Sequence, residues 1–326
     1  MRLGGWLGSA NLPNRKLHPP WRCHPPPEGT EVAPADAGPY NASLGGSTRT
    51  PGDAGVPAEA EADFGSAGTR RLVVLGSGTS TGVPMIGCDC RVCTSTDPRN
   101  HRTRPSVLLE LPGGNLLIDT TPELRLQLLR ARVKVVHAIA YTHHHADHLF
   151  GLDDARLFPK ALGGPVPIYC EAETEQTIRT VFHYAFHDAA SRLPAGGVPQ
   201  LTFRRVAPGE AFEALGQRIL PIRLVHGRFA VLGFRVGNLA YCTDVNRIPE
   251  ESWPLLGGLD TLLLDALRPE PHPTHFHLDA ALAVVARLRP RRTFFTHLSH
   301  AFDHAETESA LPPGVGLAYD GLALDF

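Results

Sequence analysis

From Arg70 onward the apolar residues fall into short runs separated by Gly, Pro and Asp. Runs of that kind, bounded by turn residues, read as strands. "RRLVVLG" predicts a strand that leads into a Gly/Ser/Thr loop, and "SVLLELPGGNLLIDTTP" predicts two strands around Pro-Gly-Gly, a hairpin signal. Further strands are expected in "VVHAIAYTH", "PVPIYCE", "RILPIRLVHG", "AVLGFRVG", "NLAYCTD", "DTLLLDAL" and "RTFFTHLSH", and the closing "VGLAYDGLALDF" reads as paired strands. Helical spacing of apolar positions predicts helices in "PELRLQLLRAR", where Pro122 suits a first turn, in "TEQTIRTVFHYAF" and in "HLDAALAVVARL". Hairpin-linked strands followed by strand–helix alternation predict an α/β chain of two sheets covered by helices. The chain has no repeat of fixed period, which argues against a solenoid.

Residues 1–68 differ. They are rich in Pro, Gly and Ala and sustain no helical or strand periodicity. Such a segment buries too little apolar surface to offset its chain entropy, so a disordered tail is expected there and a folded domain over 69–326. Cys23 and His24 lie in the tail and read as incidental.

Composition narrows the function classes. Apolar residues make up 42% and charged residues 20% of the 326, enough for a sizeable core. The net charge of −2 gives no overall attraction to nucleic acid or anionic membrane, so a polyanion would need a local basic patch or a metal. No apolar run reaches the roughly 20 residues of a membrane helix, and no charged head followed by an apolar run suggests a secretory signal. Six cysteines are present, three of them in "CDCRVC". That crowding reads as a metal clamp in a reducing, cytoplasmic setting rather than a disulfide framework.

The densest chemistry is "YTHHHADHLFGLDD". His143, His145, Asp147 and His148 form H-x-H-x-D-H directly after an apolar strand. A strand cannot put 143, 145 and 148 on one face, but a tight loop at its end can converge them. Imidazole and carboxylate are the ligands that borderline divalent metals prefer. His144 breaks the alternation and is left out of the set.

H-x-H-x-D-H after a strand resembles the metallo-β-lactamase superfamily, and the other motifs follow in that family's order: "LLIDT" (Asp119), "LVHGR" (His226), "YCTDV" (Asp244) and "FFTHLSH" (His297). The resemblance implies an αββα sandwich of two mixed β-sheets flanked by helices, a metal-dependent hydrolase, and two catalytic divalent metals, Zn or Mn. It implies one metal on His143, His145 and His226, a second on Asp147, His148 and His297, Asp244 as bridge, and Asp119 orienting the ligand loop. "GTSTGVPMIGCDCRVC" narrows the resemblance to the phosphoribosyl cyclic phosphate phosphodiesterases (PhnP-type). There the match implies a structural zinc on Cys88, Cys90, Cys93 and His300. It also implies a catalytic role for His275, in "PTHFHLDAAL", as general acid, with His272 and His277 as nearby competitors.

The expected substrate is a small cyclic or activated phosphodiester, with no nucleic acid or membrane partner; a homodimer is compatible with this reading. Two alternatives share the fold. A tRNA 3′-processing endonuclease would carry a basic arm, and "FHDAASRLPAGGVPQ" is short and not basic. A PqqB-like non-hydrolytic cofactor-biosynthesis protein would lack a full ligand set. Of the remaining groups, Cys170 and Cys242 read as core. Arg156 reads as a phosphate contact or a helix-surface residue, and His183 and His187 as an i, i+4 pair on a helix that mimics a metal pair but, with no third ligand evident, reads as partly buried or exposed. "RNHRTR" (99–104) and "RLRPRR" (287–292) read as solvated surface, the first also as a candidate entrance for anions.

Overall fold

In the computed structural model, residues 70–187, 194 and 196–326 are described. They belong to one unit, Ala60–Phe326; the expectations for the tail, for Cys23 and His24, and for residues 188–193 and 195 lie outside the described residues.

Two seven-stranded sheets face each other. The first holds β1 (Arg71–Gly76), β2 (Ser106–Leu111), β3 (Gly114–Ile118), β4 (Ala138–Ala140), β5 (Val166–Cys170), β6 (Leu201–Arg205) and the last strand, β14 (Ala323–Asp325). Its order is β14-β1-β2-β3-β4-β5-β6. The second holds β7 (Phe212–Ala214), β8 (Gln217–His226), β9 (Phe229–Val236), β10 (Leu239–Cys242), β11 (Thr261–Asp265), β12 (Arg292–Thr296) and β13 (Val315–Leu317), in the order β13-β12-β11-β10-β9-β8-β7. Both sheets are mixed. From β3 to β6 and from β10 to β13 neighbouring strands run parallel, and the remaining pairs are antiparallel.

Helices cover the outer faces, which explains the unbroken apolar runs. Along β1, Leu72 and Val74 enter the layer between the sheets, against Phe234, Tyr241 and Leu263. Val73 and Leu75 point the other way, into a layer with Leu124 and Leu128 of α1 (Leu124–Arg130) and Ile178 of α4 (Ala172–Val181). That outer layer also holds residues of two short helices, α2 (Ala146–Leu149) and α3 (Phe158–Leu162). A strand whose alternating faces are both buried cannot show polar alternation. Over the second sheet, α5 (Leu278–Leu288) packs Ala281 and Val284 on Leu262 and Leu264. Cys170 and Cys242 are core residues, as expected.

Three expectations need correction. The closing strands are not a pair: β13 joins β12 in the second sheet, while β14 joins β1 in the first. The helix in "TEQTIRTVFHYAF" stops at Val181, so His183 and His187 are not on it, although their rings lie 5.6 Å apart. "RNHRTR" is not uniformly solvated, because Arg102 is only 1% exposed. Its guanidinium donates to the carbonyls of Arg99, Ser299 and Phe302 and to Asn100 Oδ1, so peptide oxygens replace its hydration shell. Arg156 fits the surface reading: it lies on the 3-10 turn Leu152–Leu157, partly exposed, pairs with Asp153 and donates to Gly197 O.

Candidate metal centre

The site gathers where strands of both sheets end. Asp119 follows β3, the loop 141–148 follows β4, His226 ends β8, Asp244 lies just past β10, Asp265 ends β11, and His297 follows β12. Asp119, Asp244 and His297 have φ of 66°, 52° and 60°. Left-handed backbone at non-glycine residues is uncommon and costs free energy. Here it falls on three residues that must turn sharply from a strand end to aim a side chain inward.

Two side-chain groups interlock. The ligand atoms of His143, His145, His226 and Asp244 all lie within 4.8 Å of one another, and so do those of Asp147, His148, Asp244 and His297. Asp244 belongs to both. Its Oδ1 is 3.1 Å from His148 Nε2, and its Oδ2 is 3.4 Å from His297 Nε2, 3.9 Å from His226 Nε2 and 4.0 Å from His143 Nε2. His144 lies outside both groups.

The partners behind these rings fix which nitrogen faces inward. His148 Nδ1 donates to Asp119 Oδ2 at 2.8 Å, and His226 Nδ1 donates to Thr274 O at 2.7 Å. Thr142 Oγ1 donates to Asp119 Oδ2 at 2.7 Å and is left to accept from His143 Nδ1 at 3.0 Å. Each ring therefore turns Nε2 toward the centre, the nitrogen that a metal would take once its proton is displaced. The Nε2 atoms of His143, His148 and His297 are buried without a hydrogen-bond partner. Leaving such atoms unpaired is costly, and a divalent cation in each group would satisfy them.

The charges agree. Burial opposes ionisation of Asp147, yet the His148 imidazole beside it outweighs burial and holds the carboxyl below the usual range. Burial likewise opposes a charge on His297, but the Asp244 and Asp147 carboxylates raise it to about 9. His143 is pushed well down by burial and by the neighbouring His148. Packed carboxylates are thus drawing protons onto imidazoles, a task that cations take over when bound.

A second cluster lies near the loop after β12. His300 Nδ1 is 3.3, 3.5 and 3.6 Å from the Sγ atoms of Cys88, Cys90 and Cys93. Tetrahedral zinc with Zn–S of about 2.3 Å and Zn–N of about 2.0–2.1 Å requires S···N edges of roughly 3.5 Å, so the four atoms fit. Burial works against a thiolate at Cys90, but the Cys93 amide and His300 bring its thiol down to about 6. Burial pushes the Cys93 thiol up to about 11. Arg102 braces this cluster by holding the carbonyls of Ser299 and Phe302 on either side of His300.

His275 stands beside the first cluster, its ring 4.6 Å from that of His226 and 4.5 Å from that of His297. Its Nδ1 donates to Asp265 Oδ2 at 2.7 Å. Asp265 was missed in the sequence. Its signal was the one shared by Asp119 and Asp244, a carboxylate at the end of an apolar strand. Of the competitors, His272 has its ring 5.2 Å from that of His275, and His277 is the residue preceding α5.

This arrangement is matched among known proteins. A family model described as Beta-lactamase superfamily domain covers residues 114–298. The chain belongs to the metallo-β-lactamase superfamily. A solved diphosphatase of the PhnP family is 47% identical, with a TM-score of 0.73 over 79% of this chain and 97% of that one. The membership therefore extends to the PhnP-type group. Zn(2+)-bound PqqB from Methylobacterium extorquens shares the fold, with a TM-score of 0.63 and 21% identity over 78% of this chain and 100% of that one. The Octanoyltransferase of Porphyromonas gingivalis is 36% identical over 255 residues, 77% of this chain and 51% of the relative, so the chain spans about half of that protein's length. The fold is that of the superfamily, and the residues gathered in both clusters are of the kinds that hold divalent metal. Among the described residues no helix is long and apolar enough to cross a membrane.

Proposed function

We propose that the chain hydrolyses small phosphoric diesters or diphosphates, with two divalent cations, Zn or Mn, in the interlocked site and a structural zinc in the cysteine cluster. His143, His145 and His226 would hold one cation, Asp147, His148 and His297 the other, and Asp244 both. The observation that carries the reading is the placement of His275, fixed by Asp265, stacked on His297 and edge-on to His226. A diphosphatase relative at 47% identity supports the same reaction class.

Bound there, the cations supply Lewis acidity toward a phosphoryl oxygen and lower the pKa of a coordinated water. The chain's own residues do the rest. Asp119 and Thr142 hold the rings of His148 and His143 at fixed tilt. Asp265 accepts from His275 Nδ1 and stabilises the imidazolium, which leaves Nε2 to protonate the departing ester oxygen. Neither alternative gains a specific observation: the complete ligand set argues against a non-hydrolytic PqqB-like role, and the net charge of −2 gives RNA no electrostatic hold.

The test is hydrolysis by the zinc- or manganese-loaded protein of a ribosyl cyclic phosphodiester, an alkyl diphosphate, a thioester and a lactone. Turnover of phosphorus esters or anhydrides above the others is expected. Turnover of the thioester or lactone alone would overturn the reading.

A further inference from the structure

The hairpin that carries His226 ends in a two-residue turn, Gly227-Arg228, and its closing cross-strand pair is His226 with Phe229. Directly paired residues in an antiparallel ladder project from the same face. Because His226 faces the metal centre, Phe229 is presented to that side as well. Its ring centroid lies 5.4 Å from that of His145, at 84°. Phe229 is nevertheless 51% exposed, so among the described residues no element takes up the rest of the ring.

The turn is held in place. Gly227 N donates to Asn246 Oδ1 at 2.8 Å, Asn246 Nδ2 donates to Pro273 O at 2.9 Å, and Val225 N donates to Arg247 O at 3.0 Å. Gly227 has φ of 61°, and a Cβ there would sit 2.6 Å from Thr274 Cγ2, so the turn presses directly on the segment that leads to His275. An aromatic face is therefore pre-set at the rim of the reaction site. The chain of ring contacts runs Phe229–His145–His226–His275. Along this chain of contacts Phe229 is separated from His275 by two ligand residues, His145 and His226.

Resting on the phosphoryl-hydrolase reading above, we propose that Phe229 is a stacking platform for a planar ring one sugar removed from the scissile phosphorus. The substrate class is then a nucleotide-type ester or diphosphate. A half-exposed, immobilised aromatic ring beside a phosphate site suits a base, because every base offers a π-face whatever its edge. It would gain nothing from a bare ribose phosphate.

The experiment compares adenosine 5′-monophosphate with ribose 5-phosphate, which lacks only the base. Each is titrated into the metal-loaded full chain by calorimetry. The wild type should bind the nucleotide about 10- to 100-fold tighter, the range expected for stacking on one aromatic side chain. Phe229→Ala should erase that ratio while metal content stays unchanged, and Phe229→Trp should keep it. Equal binding of the two ligands by the wild type, no measurable binding of either, or equal weakening of both in Phe229→Ala would overturn the platform; the last would leave Phe229 as a prop for His145. The ratio does not depend on hydrolysis, so a failure to hydrolyse any diester would sink the functional reading and leave the platform to be judged by binding alone.

Discussion

Asp119 Oδ2 lies 2.8 Å from His148 Nδ1, and the same carboxylate accepts from Thr142 N at 2.8 Å and Thr142 Oγ1 at 2.7 Å. One buried group therefore orients His148 and the backbone that delivers His143. Asp119→Asn keeps the shape but turns an NH2 toward one of these three donors. Metal affinity of the interlocked site should fall by about 10- to 100-fold, as for other changes behind metal ligands. Zinc titration by calorimetry checks this; wild-type affinity would mean that the ligand loop is held by its backbone alone.

Much of this site is legible in the sequence. Four imidazoles and a carboxylate within six residues have few uses besides metal binding, and strand-end carboxylates at Asp119 and Asp244 could be recognised from the apolar runs before them. Three things were not readable. β6 and β7 are edge strands with half-exposed faces, so "LTFRR" and "FEA" lack the apolar density of the interior strands. β14 and β13 are adjacent in sequence yet belong to different sheets, a choice set by the packing of the whole sandwich. Arg102 is buried because four oxygens converge on it, and no charge pattern in "RNHRTR" announces that.

The cysteine cluster should contribute stability rather than chemistry. Its thiolates and His300 tie the loop after β1 to the loop after β12, so metal bound there is folding free energy. Cys90→Ser should lose one zinc per chain by metal analysis and lower the melting temperature. Turnover per folded molecule should persist at reduced temperature. Unchanged zinc content and unchanged melting would refute the clamp.

Gly151 follows α2, the turn that carries Asp147 and His148. A Cβ there would meet Thr121 O at 1.9 Å and Leu124 Cβ at 2.9 Å. The first contact is with backbone, which cannot swing aside. Gly151→Ala should cost about 1–3 kcal/mol, the usual range for overpacking. Urea unfolding at unchanged slope reads it, and a cost below about 0.5 kcal/mol would show that the ligand turn can shift as a body.

His275 is the sharpest test of the proposed reaction. The cations and their ligands can polarise phosphorus, but a poor leaving oxygen also needs a proton, and His275 is the buried imidazole that Asp265 holds beside the ligands without being counted among them. General-acid help is worth roughly 10²–10⁴-fold in rate for an alkoxide. A p-nitrophenolate departs with little protonation. His275→Ala should therefore cost far more kcat on an alkyl or ribosyl diester than on an aryl diester, with metal content unchanged. Asp265→Asn should follow the same pattern more weakly, because the imidazole remains but its imidazolium loses a charged partner. Equal losses on both substrates would assign His275 to substrate positioning. No loss on either would move the proton donor to His272, whose ring lies 5.2 Å away.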